Sequence, residues 1–171
     1  MNQINQSTAW PLLFSHHGTI LGKGFLADIE VKGRVLATLE ADGVWIDGVH
    51  PGGIALGAQT LNATHLELRN TLARIFIDFA MQTSGFDEFK ARVETFFHET
   101  DPDTLHEWDA AVEAVRAGRV VGPDGIPRCE ASTPCYVKVT RKLVESVTPS
   151  DNTIVQQESL DELYAVYADA A

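Results

Sequence analysis

The sequence has 171 residues, with 13 Lys and Arg against 24 Asp and Glu, which gives a net charge of −11. This acidic balance argues against non-specific binding to nucleic acid or to anionic lipid, because both require a basic surface. The hydrophobic fraction of 44% and the charged fraction of 22% are typical of a globular chain with a packed core. No apolar stretch approaches the roughly 20 residues of a membrane-spanning helix and no secretory signal is visible, so we expect a cytoplasmic protein with no membrane contact.

The first third of the chain alternates apolar and polar residues, which is typical of strands with one buried face. Residues 1–20 have no clear period and are either a tail or an opening strand. The alternating stretches 25–31, 35–39 and 44–47 then predict three strands, separated by turns at Lys32-Gly33 and at the strong hairpin signal Asp42-Gly43. The sequence therefore predicts a three-stranded antiparallel meander.

A helical period follows a proline- and glycine-rich loop at 50–57. Thr60 is the predicted N-cap of a long helix that ends near residues 81–83, with Gly85 in a left-handed cap, and its apolar stripe would cover the meander. Two further helices, 86–98 and one that starts at Asp101-Pro102 and ends at Gly118, are expected to form a helical hairpin.

The last part of the chain is predicted to be a loop at 119–134, a strand from Tyr136 to Thr140 that returns to the sheet, and a C-terminal helix. The helix would begin at the capping box Ser159-Leu160-Asp161-Glu162 and carry Tyr164 and Tyr167 on its apolar stripe. We thus expect one α+β domain over 1–171. It divides into a meander and main helix at 22–83, the helical hairpin at 86–118, and a loop, strand and C-terminal helix at 119–171.

Residues that could bind metal do not form a recognisable pattern. The two cysteines, Cys129 and Cys135, are too few for a disulfide framework and miss the usual metal-binding spacing, so we expect free thiols. Of the six histidines, His50 is the best-placed functional candidate because it lies in the proline- and glycine-rich loop. The sequence predicts no metal and no cofactor, and it contains no nucleotide-binding or hydrolase motif.

The wet face of the predicted meander carries the remaining candidates. Leu26, Asp28, Trp45 and Asp47 point away from the main helix, and Leu26 and Trp45 are expected to form a small apolar patch for a protein partner. Alternatively, the helical hairpin or the returning strand covers Trp45. Asp28 and Asp47 on one face could also bind divalent ions, as an RNase H-like nuclease requires. Tyr164 and Tyr167 pose a similar choice between packing on the chain itself and binding in a partner groove.

The stretch Trp45-Ile46-Asp47-Gly48-Val49-His50-Pro51-Gly52-Gly53, followed by Gly57-Ala58-Gln59-Thr60-Leu61-Asn62-Ala63, resembles HicB-like antitoxins over residues 22–80. The resemblance implies a partial RNase H-like sheet without catalysis, which holds a small basic RNA-cleaving toxin. The acidic balance is compatible with such a partner, because opposite charge speeds encounter. Residues 119–171 lack a basic recognition helix, so direct nucleic-acid binding is not predicted.

Three hypotheses follow from the sequence. The first is a non-catalytic, HicB-like protein-binding module whose partner is a small basic protein. The second is a metal-dependent nuclease that uses Asp28 and Asp47. The third is a ligand-binding or scaffold protein whose helical hairpin makes a homodimer; a homo-oligomer is also a possible state of the first.

Overall fold

The computed structural model describes residues 8–143 and 162–167. These residues form seven strands and three helices, which confirms the α+β class. The strands are β1 (Thr8–Gly22), β2 (Phe25–Glu40), β3 (Gly43–His50), β4 (Ala55–Ala58), β5 (Arg128–Glu130), β6 (Tyr136–Lys142) and β7 (Leu163–Tyr167). The helices are α1 (Leu61–Gln82), α2 (Phe86–His98) and α3 (Pro102–Arg116).

All seven strands belong to one mixed open sheet. The order is β4-β3-β2-β1-β7-β5, and β6 pairs with β2 off this path. Only the pair β5 and β7 is parallel among the described strands. The long strand β2 has two neighbours on one side: its first half, from Leu26 to Lys32, pairs with β6, and its second half, from Arg34 to Glu40, pairs with β3.

The predicted meander exists, but different residues form it. Its strands are β1, β2 and β3, so the opening stretch is a strand and the two predicted strands at 25–31 and 35–39 are one continuous strand. The predicted turn at Lys32-Gly33 is therefore wrong, whereas the hairpin predicted from Asp42-Gly43 forms with its two-residue turn one position earlier, at Ala41-Asp42. Gly33 lacks a side chain for a packing reason: a Cβ there would lie 2.3 Å from the carbonyl oxygen of His50 and 2.5 Å from the Phe14 ring.

Alternation along the central strands supplies two separate cores, one on each face of the sheet. Leu12 and Phe14 of β1 belong to the first core, which α1 and α2 cover. Leu13, the residue between them, belongs to the second core, which α3 covers through Trp108. Successive side chains of a strand point to opposite faces, so the sheet is the middle layer of a three-layer molecule.

Helix α1 matches its prediction closely. Thr60 is the N-cap, and its hydroxyl oxygen accepts a hydrogen bond from the amide of Ala63. The buried stripe packs on the first core, where Phe76 joins Phe25 of β2 and Ile46 of β3. The predicted left-handed cap at Gly85 is wrong, because this glycine is extended and serves as the N-cap residue of α2.

The predicted helical hairpin is also wrong, although both of its helices form. Helix α2 buries Phe89, Val93 and Phe97 in the first core, whereas α3 buries Trp108 and Val112 in the second. The two helices therefore lie on opposite faces of the sheet. Each amphipathic stripe was visible in the sequence, but a stripe does not say which face of a sheet it will cover.

The end of the chain differs most from expectation. The returning strand at Tyr136 is confirmed as β6, and the predicted loop at 119–134 contains the short strand β5. Leu163–Tyr167 is the strand β7, which pairs with β1 and β5, so the predicted C-terminal helix is wrong where the structure describes it. Residues Ser159, Leu160 and Asp161 of the predicted capping box lie outside the described residues.

Candidate partner-binding site

Leu26 and Trp45 share the sheet face that carries the second core, but they lie far apart on it. Trp45 pairs with Thr38 of β2, and the stretch of β2 from Leu26 to Thr38 spans about 40 Å at roughly 3.3 Å per residue. The predicted apolar patch of Leu26 and Trp45 is therefore wrong. The reason is the missing turn at Lys32-Gly33, because a continuous β2 carries the two positions apart instead of folding them together.

The two carboxylates of the nuclease hypothesis are separated in the same way. Asp47 pairs with Leu36 of β2, which places it about 26 Å from Asp28 at roughly 3.3 Å per residue. Two-metal hydrolysis requires ions about 3.5–4 Å apart, which shared carboxylates must bridge. Asp28 and Asp47 cannot form one such site.

Asp28 has its own partners on the neighbouring strands. Its carboxylate accepts a hydrogen bond of 2.6 Å from the Thr19 hydroxyl of β1 and lies 3.0 Å from Nζ of Lys142 of β6. Burial raises the pKa of Asp28, but the Thr19 hydrogen bond and the Lys142 ammonium outweigh it, so the net pKa is below its ordinary value. This carboxylate links three strands, and its charge is already matched.

Trp45 is the most prominent exposed aromatic side chain near the other end of the face. It is 44% exposed, although a large aromatic side chain is costly to leave in water. Its ring lies against the backbone of Gly57 in β4, where a Cβ would come within 2.5 Å of the ring. At this exposure the side chain is not covered, so the alternative in which the helical hairpin or the returning strand covers Trp45 is wrong. One face of the indole is fixed against backbone and the side chain is open to a partner.

One carboxylate lies on the same side of the sheet as the indole, and a second lies near the first. Asp47 follows Trp45 by two residues on β3 and thus points to the same side of the sheet. Burial and the neighbouring charge of Asp101, the N-cap of α3, raise the pKa of Asp47. We call the surface formed by Trp45, Asp47 and Asp101 the Trp45 site. The repulsion between two nearby negative charges decreases when a cation binds between or beside them.

His50 lies at the end of β3, where a β-bulge interrupts the pairing with β2 opposite Arg34. Its Nε2 is 2.9 Å from the Thr100 hydroxyl, and its ring lies 6.3 Å from that of Phe97. Nδ1 is buried with no hydrogen-bond partner among the described residues. Burial and the positive charges of Arg34 and His98 lower the pKa of His50. The ring therefore joins the end of the sheet to the α2–α3 connection.

The two C-terminal tyrosines are not on a helical stripe. Tyr164 is half-buried beside the second core, its hydroxyl donates to Glu162, and its ring lies 5.3 Å from Nζ of Lys32. Packing on the chain itself therefore accounts for Tyr164. Tyr167 ends β7, and its side chain lies outside the described residues.

Three residues of interest were not predicted: one beside Leu26, and the pair formed by Arg34 of β2 and Trp108 of α3. Leu21 of β1 pairs directly with Leu26 and is 76% exposed, so this end of the face carries a small apolar pair of its own. The prediction did not include it because the first predicted strand began only at residue 25, whereas β1 runs to Gly22. Arg34 of β2 stacks on Trp108 of α3, with the guanidinium carbon 4.7 Å from the ring centroid. No local motif could have indicated a pair that is distant in sequence.

The two cysteines are free thiols, as predicted. Cys129 packs against the second core and Cys135 against the first. Burial raises the pKa of both thiols. Neither is activated as a nucleophile, because the thiolate form is disfavoured at neutral pH.

Comparisons with known proteins identify no relative: no family model, no curated protein and no solved structure matches this chain. Within 8–143 and 162–167, no group of three or more His, Cys, Asp or Glu side chains is arranged to hold a metal ion. None of the three described helices has the length and apolar character needed to cross a bilayer.

Proposed function

We propose that the protein is a non-catalytic binding module, similar to HicB-type antitoxins, whose partner is a small basic RNA-cleaving protein. The observation that carries the proposal is the Trp45 site: a 44% exposed indole, Asp47 on the same side of the sheet, and Asp101 near Asp47, in a chain of net charge −11. Lys and Arg side chains bind both to the face of an indole and to carboxylates. A basic partner would use both contacts.

The rigidity of the Trp45 site supports its role as an anchor. The backbone at Gly57 backs the ring, and β3 lies between β2 and β4 on both of its edges. An anchor that is ordered before binding loses little side-chain entropy when the complex forms. Aromatic residues of this kind are enriched among the side chains that dominate interface affinity.

The partner to test is the small basic protein whose gene lies next to the gene for this chain. The purified pair should form a complex by light scattering and show saturable heat in calorimetry, and the complex should no longer cleave RNA. Without partner, the same light-scattering run gives the oligomeric state and so tests the proposed homo-oligomer. A pair that shows no complex contradicts the proposed function.

Two substitutions then test the site within that complex. Trp45→Ala should weaken binding at least tenfold, because an anchor side chain contributes about 2 kcal/mol or more. Asp47→Asn should weaken it less and reduce its dependence on salt. Ile77→Ala is the matched control, since Ile77 is 46% exposed on α1, on the other side of the sheet. A complex unaffected by Trp45→Ala but weakened by Ile77→Ala would contradict the site while leaving the function standing.

A further inference from the structure

A cleft lies between α3 and the segment that follows β5. Its volume is about 400 Å³, within the range of small-molecule sites. Its described lining combines apolar and charged side chains from these elements and from β2: Arg34, Trp108, Asp109, Val112, Glu113, Arg116, Ala131 and Ser132.

Arg34 is the unusual member of this lining. It is half-buried on β2, with its guanidinium stacked over Trp108, yet no ion pair joins it to a carboxylate among the described residues. Its Nε is buried without a hydrogen-bond partner in this part of the chain, and so is Nε1 of Trp108. Buried charges are normally paired, because removal from water costs several kcal/mol. The guanidinium donates a hydrogen bond to the thiol of Cys135, but this thiol carries no charge to match it.

The other charges of the cleft limit what can bind. Arg116 is already joined to Glu113, one helical turn earlier on α3. Asp109 and Glu113 are exposed carboxylates on the same lining, so a ligand with two negative charges would be repelled. A single carboxylate matches the planar donor fork of an arginine. Val112 and Ala131 add apolar surface for the body of such a ligand.

We propose that this cleft binds a small monocarboxylic acid with an apolar body, whose carboxylate pairs with the guanidinium of Arg34. The acid supplies the counter-charge that this arginine lacks among the described residues. Its apolar part occupies the space beside Val112 and Ala131. The site lies beneath α3 and is independent of the Trp45 site.

Sodium benzoate is the probe that tests the proposal, with benzamide as its neutral match and inorganic phosphate as the dianion. The side-chain N–H signals of Arg34 and Trp108 are followed by ¹H–¹⁵N NMR at constant ionic strength. Benzoate should shift both signals saturably at about millimolar concentration, as expected for a ligand of this size. Benzamide and phosphate should not. Equal shifts with benzamide, or no saturable shift with benzoate, would overturn the proposal.

Two arginine variants separate the site from general charge effects. Arg34→Gln should weaken benzoate binding at least tenfold, followed on the Trp108 signal. Arg92→Gln is the matched control, because Arg92 also stacks 4.7 Å from a ring, that of Phe79, but does not line the cleft. Unchanged benzoate affinity in Arg34→Gln would overturn the proposal. If that variant fails to fold, the comparison of benzoate with benzamide on the unmodified protein still tests whether the cleft recognises a carboxylate.

Discussion

His50 shows how the fold sets the chemistry of one side chain. The sequence placed it in a loop and made it a candidate for function, but the structure uses it as a link. Its Nε2 contacts Thr100, while Arg34 and His98 bring positive charge near the ring. A ring in such surroundings is favoured in its neutral form.

This environment predicts a pH dependence of stability. Burial and the two cations lower the pKa of His50 in the folded state, so between that value and the ordinary one the unfolded chain binds more protons. The free energy of unfolding should therefore fall as pH is lowered through about 6.5. Above that pH the contribution of His50 to stability is complete. Urea unfolding from pH 7.5 to 5.5 should show a shallower decline in His50→Gln.

The control for this measurement is His106→Gln, because His106 is exposed on α3. That variant should keep the decline of the unmodified protein. The comparison uses the slope against pH, so the loss of the Thr100 hydrogen bond, which lowers stability at every pH, does not enter. Equal slopes in the two variants would contradict the assignment to His50.

At the scale of elements, several local signals predicted caps and turns correctly, whereas the packing of the elements did not follow from the sequence. The caps at Thr60 and Asp101 and the hairpin predicted from Asp42-Gly43 each depend on a few neighbouring residues, and all three form. Gly33 was misread as a turn because its need for space comes from Phe14, which is distant in sequence.

The candidate site was only partly predictable for the same reason. Strand alternation predicts that Trp45 lies on the exposed side of the strand. Asp101, in contrast, lies near Asp47 only because α3 packs on this face of the sheet, which the sequence did not predict. Arg34 alternates with apolar residues on β2 and therefore looks like an ordinary solvated residue. Its partner ring, Trp108, is brought to it by a helix whose choice of sheet face no local pattern contains.

The junction of α1 with the sheet can be tested through Thr64. Its side chain is fully buried, and its hydroxyl lies 3.0 Å from the carbonyl oxygen of Val44 and 2.9 Å from that of Thr60. Thr64→Val keeps the shape but removes the donor, so the free energy of unfolding should fall by about 1–2 kcal/mol. Thr71→Val, at a hydroxyl that contacts only the exposed Arg74 among the described residues, should cost much less by urea unfolding.

At the scale of the molecule, one sheet supplies both cores. Leu12 and Leu13 are adjacent in β1 and both fully buried, yet each belongs to a different core. The two cores share most of their strands, because β1, β2, β3 and β7 contribute to both. The two helical layers are therefore coupled through the strands they share.

This coupling predicts a single unfolding transition whichever core is weakened. Leu12→Ala and Leu13→Ala should each lower the free energy of unfolding by about 2–5 kcal/mol. Fluorescence and far-ultraviolet circular dichroism should report the same midpoint in each variant. Leu66→Ala is the control, because Leu66 is 51% exposed on α1 and should change stability by no more than about 0.5 kcal/mol. Two separate midpoints in Leu13→Ala would show that α3 detaches independently.

The uninterrupted length of β2 also limits how the gene can change. Inserting or deleting one codon early in β2 would move the side chain of every later residue of the strand to the opposite face of the sheet. Val35 would then face α3, and Leu36 would face α1 and α2. The chain between α3 and β5 carries no such alternation to preserve. Among descendants of this sequence, insertions and deletions should therefore accumulate in the connection between α3 and β5. Selection should remove them from the central strands.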